Sequence, residues 1–179
     1  MPIDIKNIYL KSAIKRRNNE VAFDLIKQYG VNQKIGKDGT PLVLACLHDN
    51  TKVANYCIKN GAEVNAVDGD KFTPLLYASD NGNFPLVKSL VKKGAKINAK
   101  NKYEMTPIMM VISRHSDQPD LVEYLLKNGA DPFINVEHSK NHPNKIANNA
   151  YELAKYLKKK EVLLLIKKYC GRSGRSKKS

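Results

Sequence analysis

Long apolar runs and cysteines are both scarce in this chain of 179 residues. The longest compact apolar run, residues 162–166, is far shorter than the roughly 20 residues that a membrane-spanning helix needs, so we expect no transmembrane segment. The first residues also lack the basic and then apolar pattern of a secretory signal peptide. The three cysteines (Cys46, Cys57 and Cys170) are an odd set without the spacing of a metal site. These absences predict a cytoplasmic protein in a reducing compartment.

Motifs that carry out chemistry are missing as well. The sequence has no glycine loop of the phosphate-binding type, and no Ser, His and Asp set in a catalytic context. Glu137, His138 and His142 lie close enough to suit zinc on a helix, but Asn, Ser and Pro interrupt that segment and no fourth ligand is evident. Cys46 and Cys57 are expected in the core. We therefore predict no enzyme activity, no metal and no cofactor.

Acidic residues are few relative to basic ones, 17 against 31, which gives a net charge of +14. Much of this excess is near the C-terminus, because residues 155–179 hold ten Lys and Arg and a single acid. Residues 171–179 contain no apolar side chain to bury and are predicted to form a disordered basic tail. This end of the chain has two interpretations: a solvated cap that blocks further packing, or a contact for nucleic acid, acidic lipid or a localisation receptor.

A period of 33 residues runs through the middle of the chain, and such a period predicts a repeat architecture. One marker is the tripeptide Thr-Pro-Leu or Thr-Pro-Ile, whose copies begin at Thr40, Thr73 and Thr106. A second marker, Gly-Ala, follows each of these in phase, at Gly61, Gly94 and Gly129. A degraded copy of the first marker begins at Asn149. Two markers in phase over three copies are a strong repeat signal.

Each marker has a physical role in a pair of helices. A Thr before Pro can cap a helix, because the hydroxyl accepts a backbone N–H and proline's missing donor costs nothing at the first helical position. The apolar residues that follow predict a short inner helix, and apolar positions three and four apart, as in residues 86–91, predict an outer helix. The Gly of Gly-Ala then stands where a helix end requires a positive φ. Polar stretches such as residues 65–71 are predicted to form hairpin fingers.

These markers resemble the ankyrin-repeat family, whose consensus places Thr-Pro-Leu-His before the outer helix and Gly-Ala-x-Val-Asn after it. The resemblance covers roughly residues 5–170 and implies an all-α fold, a solenoid of stacked helix-turn-helix units with hairpin or loop fingers. We predict a single domain over residues 1–170. Its parts are an N-terminal cap unit (5–35), three repeats (36–68, 69–101 and 102–136), a long finger (134–146) and a C-terminal cap unit (147–170).

The sequence departs from the family pattern in the fingers and in two insertions. The family's finger glycine stands two residues before Thr, where this chain has Asp38, Lys71 and Glu104, so we expect less regular finger tips. Residues 114–119 include two extra residues, and the long finger at 134–146 includes eight. Insertions in repeat proteins usually fall on one face, which is often the binding face.

In the ankyrin-repeat family, contacts with partners usually come from finger residues and from the exposed end of the inner helix. Phe72, Tyr103 and Met105 are large side chains at such positions and are predicted to be exposed anchors. The alternative is that Phe72 and Met105 pack against neighbouring fingers. The full set that the resemblance implies is Lys37, Gly39, Leu47 and His48 in the first repeat, Gly69, Asp70, Phe72, Asp80 and Asn81 in the second, and Lys102, Tyr103, Met105, Ser113 and Arg114 in the third.

The function implied is a monomeric, non-catalytic module that binds a partner protein through a concave surface. The abundance of Lys and Asn suggests an AT-rich genome, and small ankyrin-repeat proteins from such genomes often resemble bacterial effectors or viral host-range factors. A protein in the host-cell cytosol is therefore one candidate partner. The alternative is an anion-binding adaptor that contacts nucleic acid or acidic lipid through the basic C-terminus.

Overall fold

The computed structural model describes residues 5–114, 118–136 and 147–171. Within these ranges the chain contains ten α-helices, one 3-10 helix at Gly36–Asp38 and no strand, which confirms the predicted all-α fold. Two compact units are present, Met1–Lys96 and Ile97–Ser179. The α-helices are α1 (Ile5–Lys15), α2 (Asn19–Tyr29), α3 (Pro41–Leu47), α4 (Thr51–Lys59), α5 (Pro74–Asp80), α6 (Phe84–Lys92), α7 (Pro107–Arg114), α8 (Pro119–Lys127), α9 (Ala150–Tyr156) and α10 (Lys160–Cys170).

The first unit consists of three stacked helix pairs, α1 with α2, α3 with α4, and α5 with α6. The inner helices pack in the order α1, α3, α5, and the outer helices in the order α2, α4, α6. In the second unit α7 packs on α9 and α8 packs on α10. The core between the helices is aliphatic, as the periodicity predicts. Its fully buried members include Leu10, Ile14, Leu42, Leu44, Leu75, Leu76, Leu86 and Leu90 in the first unit, and Ile108, Met109 and Ile112 in the second.

The inner helices begin as predicted, but only one threonine caps its helix. The Thr73 hydroxyl accepts a hydrogen bond from the backbone N–H of Leu76 at 3.2 Å. The buried hydroxyls of Thr40 and Thr106 have no hydrogen-bond partner among the described residues, so the cap prediction is wrong at these two positions. Asn149, at the degraded copy of the marker, does cap α9 through its side chain.

The Gly-Ala markers close the outer helices with the expected backbone conformation. Gly61, Gly94 and Gly129 have φ values of 82°, 84° and 91°, which only glycine adopts without strain. This part of the prediction is confirmed.

Side chains of asparagine connect successive Gly-Ala markers. The amide nitrogens of Asn32, Asn65 and Asn98 donate to the glycine carbonyl of the next marker, at 3.3, 3.1 and 3.0 Å. Their carbonyl oxygens accept the N–H two residues beyond that glycine, at 2.8, 2.8 and 2.9 Å. The equivalent position of the last marker is Phe133, which packs against Tyr151 with ring centroids 5.5 Å apart. In the first unit, Asn32 and Asn65 therefore connect neighbouring helix pairs, and Asn98 makes the same bonds within the second unit.

The second and third fingers are regular even though they lack the family's glycine. Lys71 and Glu104 adopt φ values of 60° and 61°, so the glycine-type backbone is kept by residues for which it is strained. In both fingers one side-chain oxygen, from Asp68 or Asn101, accepts the N–H groups two and four residues later, at 2.9–3.0 Å. The expected irregularity occurs only in the first finger, where the 3-10 helix ends at Gly39 with φ 81°.

Several predicted features lie partly outside the described residues. The first insertion lies between α7 and α8, where residues 115–117 are outside the described ranges. The same holds for 137–146 of the long finger, with Glu137, His138 and His142, and for 172–179 of the basic tail. The roles given to them, and the single domain over 1–170, stay predictions.

Candidate functional site

The first finger and the end of α3 present three of the predicted contact residues. Lys37 is exposed in the 3-10 helix, and its carbonyl accepts the N–H of Gly69 at 2.8 Å. Leu47, the last residue of α3, is 37% exposed, although every other residue of that helix is buried. His48 follows it as the half-buried C-cap. These side chains therefore lie at the surface of the first unit.

Phe72 in the second finger is partly exposed, and it also packs against a neighbouring ring. Its half-buried ring stacks on Tyr77 of α5, with ring centroids 4.7 Å apart and planes 19° apart. The Tyr77 hydroxyl donates to Asp68 at 2.5 Å, and burial together with that carboxylate raises the pKa of Tyr77. The Phe72 ring contact is with a helix that follows the finger, so the alternative in which Phe72 packs against a neighbouring finger stays a prediction. Asp70 at the tip is exposed.

The end of α5 carries Asp80 and Asn81, which differ in what their side chains contact. The amide of Asn81 donates to the carbonyl of Cys46 at 2.8 Å and so ties α5 to α3 within the first unit. Asp80 is half-buried. Asn81 is thus partly a structural residue, although it remains exposed.

In the second unit, Tyr103 and Met105 of the third finger have opposite environments. Tyr103 is 37% exposed, and the Lys102 ammonium lies 4.9 Å from its ring centroid. Met105 is only 7% exposed, so its predicted exposure is wrong. Asn101 holds both backbone polar groups of Met105, by its side chain at 3.0 Å and by its own N–H at 3.2 Å. Asp68 holds Phe72 in the same way, so these bonds fix the backbone at both positions while only the Met105 side chain is buried.

The end of α7 presents the last two predicted contact residues, Ser113 and Arg114. Both are exposed, and the Ser113 hydroxyl donates to the carbonyl of Met110 at 3.0 Å. The predicted contact residues that are exposed in the second unit are therefore Lys102 and Tyr103 of the finger and Ser113 and Arg114 of the inner helix.

A cleft in the first unit involves residues that the sequence interpretation assigned only to a cap. It has a volume of about 620 Å³ and lies between α1, the first finger and α3. The signal for it was present, because residues 5–17 contain five Lys and Arg and no acid. The cleft is lined by Lys11, Ser12, Lys15, Arg16, Asp38, Leu44, Leu47 and His48.

Some of the basic side chains around this cleft form ion pairs and others do not. Lys11 forms an ion pair with Asp38. The side chains of Lys15 and Arg16 have no ion-pair partner in the part of the chain that the structure describes. Burial, followed by the nearby Lys15, lowers the pKa of His48, so its imidazole is favoured in the neutral form.

Comparison with protein families decides what kind of chain this is. A model of ankyrin repeats in three copies matches residues 10–101, and a second model of a single ankyrin repeat matches residues 103–136. The chain belongs to the ankyrin-repeat family. A search of curated proteins gives no significant match. Ankyrin repeats are in general protein–protein interaction modules.

The first ankyrin match begins within α1, so it includes the helix pair that the sequence suggested as a cap. The cleft therefore lies between inner helices of two neighbouring helix pairs of the ankyrin array, both inside the first unit. Inner-helix ends are where the family resemblance places partner contacts.

Two of the three cysteines of this ankyrin-repeat chain lie in its core, as the sequence predicts, and Cys170 is half-buried. Cys46 of α3 and Cys57 of α4 are both 0% exposed. Burial raises the pKa of Cys57 to about 12 and that of Cys46 well above its ordinary value. Both thiols are protonated at neutral pH and are poor nucleophiles. Among the described residues, no helix combines the length and the apolar character needed to cross a bilayer.

Proposed function

We propose that this ankyrin-repeat protein binds a partner protein through its finger tips and inner-helix ends and does so without catalysis. The observation that carries the proposal is Tyr103, an aromatic side chain exposed on a finger whose backbone is fixed by its own asparagine. Aromatic residues dominate the binding energy of many interfaces. A finger that is already ordered loses little conformational entropy on binding.

In the second unit, exposed polar side chains such as Lys102 and Arg114 accompany this aromatic residue. The first unit by itself presents exposed Lys37, Leu47 and Asp70. An interface that combines an aromatic centre with a polar surround is typical of protein recognition. Met105 is buried, so it is removed from the predicted contact set. Phe72 is kept only for the part of its ring that is exposed.

The test is affinity capture from a eukaryotic cell lysate, with bound proteins identified by mass spectrometry. Wild type is compared with Tyr103→Ala and with a matched control, Tyr156→Ala, which removes a 59% exposed tyrosine from α9. We expect a partner that wild type and the control retain and that Tyr103→Ala loses. Equal retention by all three proteins would show that the third finger does not bind it.

The finer form of the proposal is a monomeric adaptor that acts in the cytoplasm, or in the host-cell cytosol if the protein is an effector. This form of the proposal rests on the composition of the chain, which is rich in Lys and Asn. Light scattering after gel filtration tests the monomer, and the identity of the captured protein tests the compartment.

Anion binding by the basic C-terminus is the second candidate function. The lysines of α9 and α10 are mostly exposed, which favours it. Two of them are already in ion pairs, Lys155 with Glu152 and Lys168 with Glu123, which weakens it. This function predicts that removal of residues 171–179 abolishes salt-sensitive binding of single-stranded DNA or acidic vesicles.

A further inference from the structure

We propose that the cleft between α1 and α3 in the first unit binds an acidic peptide segment that also carries an apolar side chain. This inference rests on the proposed function and specifies the chemistry of the partner. It places part of the binding site on the first helix pair, outside the contact set that the family pattern implies.

The cleft combines a charged and polar lining with exposed apolar surface at Leu47, and its size suits part of a short peptide. Its volume of about 620 Å³ falls within the range of roughly 300–1,000 Å³ that is usual for small-ligand sites. Leu47 contributes the exposed apolar surface, since it is 37% exposed, whereas Leu44 lines the cleft but is only 2% exposed. An apolar side chain placed here would remove the exposed part of Leu47 from water.

The positive charge of the cleft is available to a ligand. Lys11 is paired with Asp38, but Lys15 and Arg16 have no ion-pair partner within the described ranges. An incoming carboxylate therefore has no internal acid to displace at these two side chains. The guanidinium of Arg16 can bind a carboxylate through two parallel hydrogen bonds.

The same lining favours a peptide over a nucleic acid. The carboxylate of Asp38 lies in the cleft and would repel a continuous phosphate backbone. Leu44 and Leu47 offer such a backbone no hydrogen bonds, and the described residues that line the cleft include no Phe, Tyr or Trp as a stacking platform for bases. A peptide can place acids beside Lys15 and Arg16 and an apolar side chain beside the leucines.

The experiment selects ligands directly from a phage library of random twelve-residue peptides, with the full chain as bait. Wild type is compared with the double variant Lys15→Glu/Arg16→Glu. The matched control is Lys92→Glu/Lys93→Glu, which makes the same change in net charge at another helix C-terminus, that of α6. We expect wild type and control to select peptides in which Asp or Glu flanks Leu, Ile, Met or Phe.

Synthetic copies of the selected peptides then give the affinities. We expect Lys15→Glu/Arg16→Glu to weaken binding at least about tenfold, because like charges would face each other, and the control to stay within about twofold. Leu47→Ser keeps every charge and should also weaken binding. The His48 ring signals in NMR spectra should shift when peptide is added, since this histidine lines the cleft. If the charge-reversed protein does not fold, Lys15→Gln/Arg16→Gln replaces it.

Three results would overturn the proposal. The first is selected peptides without acidic residues, and the second is equal weakening by both charge-reversed proteins. The third is tighter binding of single-stranded DNA at the cleft that is unaffected by Leu47→Ser, which would assign the cleft to nucleic acid. The proposed function is tested separately: if the captured partner is lost by Tyr103→Ala and kept by Lys15→Glu/Arg16→Glu, that function stands and the cleft proposal fails.

Discussion

The outer helices of the first unit all begin with a capping asparagine, whereas the described outer helices of the second unit do not. The side-chain oxygens of Asn18, Asn50 and Asn83 accept the N–H three residues later, at 3.4, 3.3 and 3.0 Å. Gln118 and Lys159 precede α8 and α10 and make no side-chain cap. The backbone is nevertheless the same at Lys159 (φ −78°, ψ 79°) as at Asn18 (φ −78°, ψ 80°).

The asparagines also connect one helix pair to the next. The amide of Asn50 donates to the carbonyl of Ile14 at 3.0 Å and to the side chain of Asn19 at 2.9 Å. In the second unit a partly exposed ionic cluster connects the outer helices instead, since Lys168 and Tyr169 of α10 donate to Glu123 of α8 at 3.0 and 2.6 Å. The connection between helix pairs is thus made by neutral groups around the buried Asn50 in one unit, and by partly exposed, titratable groups in the other.

The largest expected effect breaks the connection in the first unit. Asn50 is 1% exposed, so Asn50→Ala removes a cap worth about 1 kcal/mol and leaves buried polar groups unpaired at about 1–3 kcal/mol. We expect the free energy of unfolding to fall by about 2–4 kcal/mol in urea denaturation. Gln118→Ala, at the uncapped position of the second unit, is the control and should cost less than about 0.5 kcal/mol. If both variants lowered the free energy of unfolding by similar amounts, the asparagine caps would not distinguish the two units.

The second prediction gives the second unit the cap that it lacks. Lys159 already has the backbone conformation of a capping asparagine, so Lys159→Asn should bring a side-chain oxygen to the N–H of Val162. The expected gain is about 1 kcal/mol relative to Lys159→Ala, which removes the lysine without adding a cap. Thermal unfolding of the two variants measures this difference. No difference would mean that the backbone at Lys159 does not position a capping group.

The third prediction uses the strained finger positions that the two units share. Glycine at position 71 relieves a left-handed strain of about 1–2 kcal/mol but adds unfolded-state entropy, so Lys71→Gly should stabilise the protein by about 0.5 kcal/mol. Glu104→Gly should gain less, because the Glu104 carboxylate accepts a 2.6 Å contact from Lys100 that would be lost. Urea denaturation of the two variants tests the order. A larger gain at position 104 would show that this contact contributes nothing.

The glycine of each Gly-Ala marker is what the sequence predicts well in this molecule, because its positive φ is set within a few residues. The threonine cap follows from the repeat only at Thr73, since the hydroxyls of Thr40 and Thr106 have no hydrogen-bond partner among the described residues. The capping asparagines were also within reach, since Asn18, Asn50 and Asn83 recur at intervals of 32 and 33 residues. That interval is a signal which the interpretation of the markers passed over.

Features that depend on distant packing were not predictable in the same way. The family's contact positions suggested Met105 as an exposed anchor, whereas its side chain packs into the core and is only 7% exposed. The cleft arises because α1 packs on α3, which brings Lys15 and Arg16 beside Leu47 across about thirty residues of chain. A count of charges identifies the basic helix but not the surface that it faces.

The smallest expected effect is a pH dependence confined to the second unit. Hydrogen bonds from Tyr169 and then Lys168 lower the folded-state pKa of Glu123 to about 2, below the ordinary value of 4.5. The ionised carboxylate therefore stabilises the fold above its unfolded-state pKa, and this contribution is lost as the pH falls from 4.5 towards 2. Because Glu123 and Lys168 are at least partly exposed, solvent screening keeps this contribution to the free energy of unfolding small.

Hydrogen exchange of the α10 amides, measured across that pH range, tests this dependence. Protection of α10 should decline more steeply with falling pH in wild type than in Glu123→Gln, which cannot lose the charge. The α4 amides, held through the neutral Asn50, should show the same pH dependence in both proteins, because titration elsewhere affects both alike. Equal slopes for α10 in the two proteins would mean that the ionic cluster adds no stability, and the two units would then differ only in their helix caps.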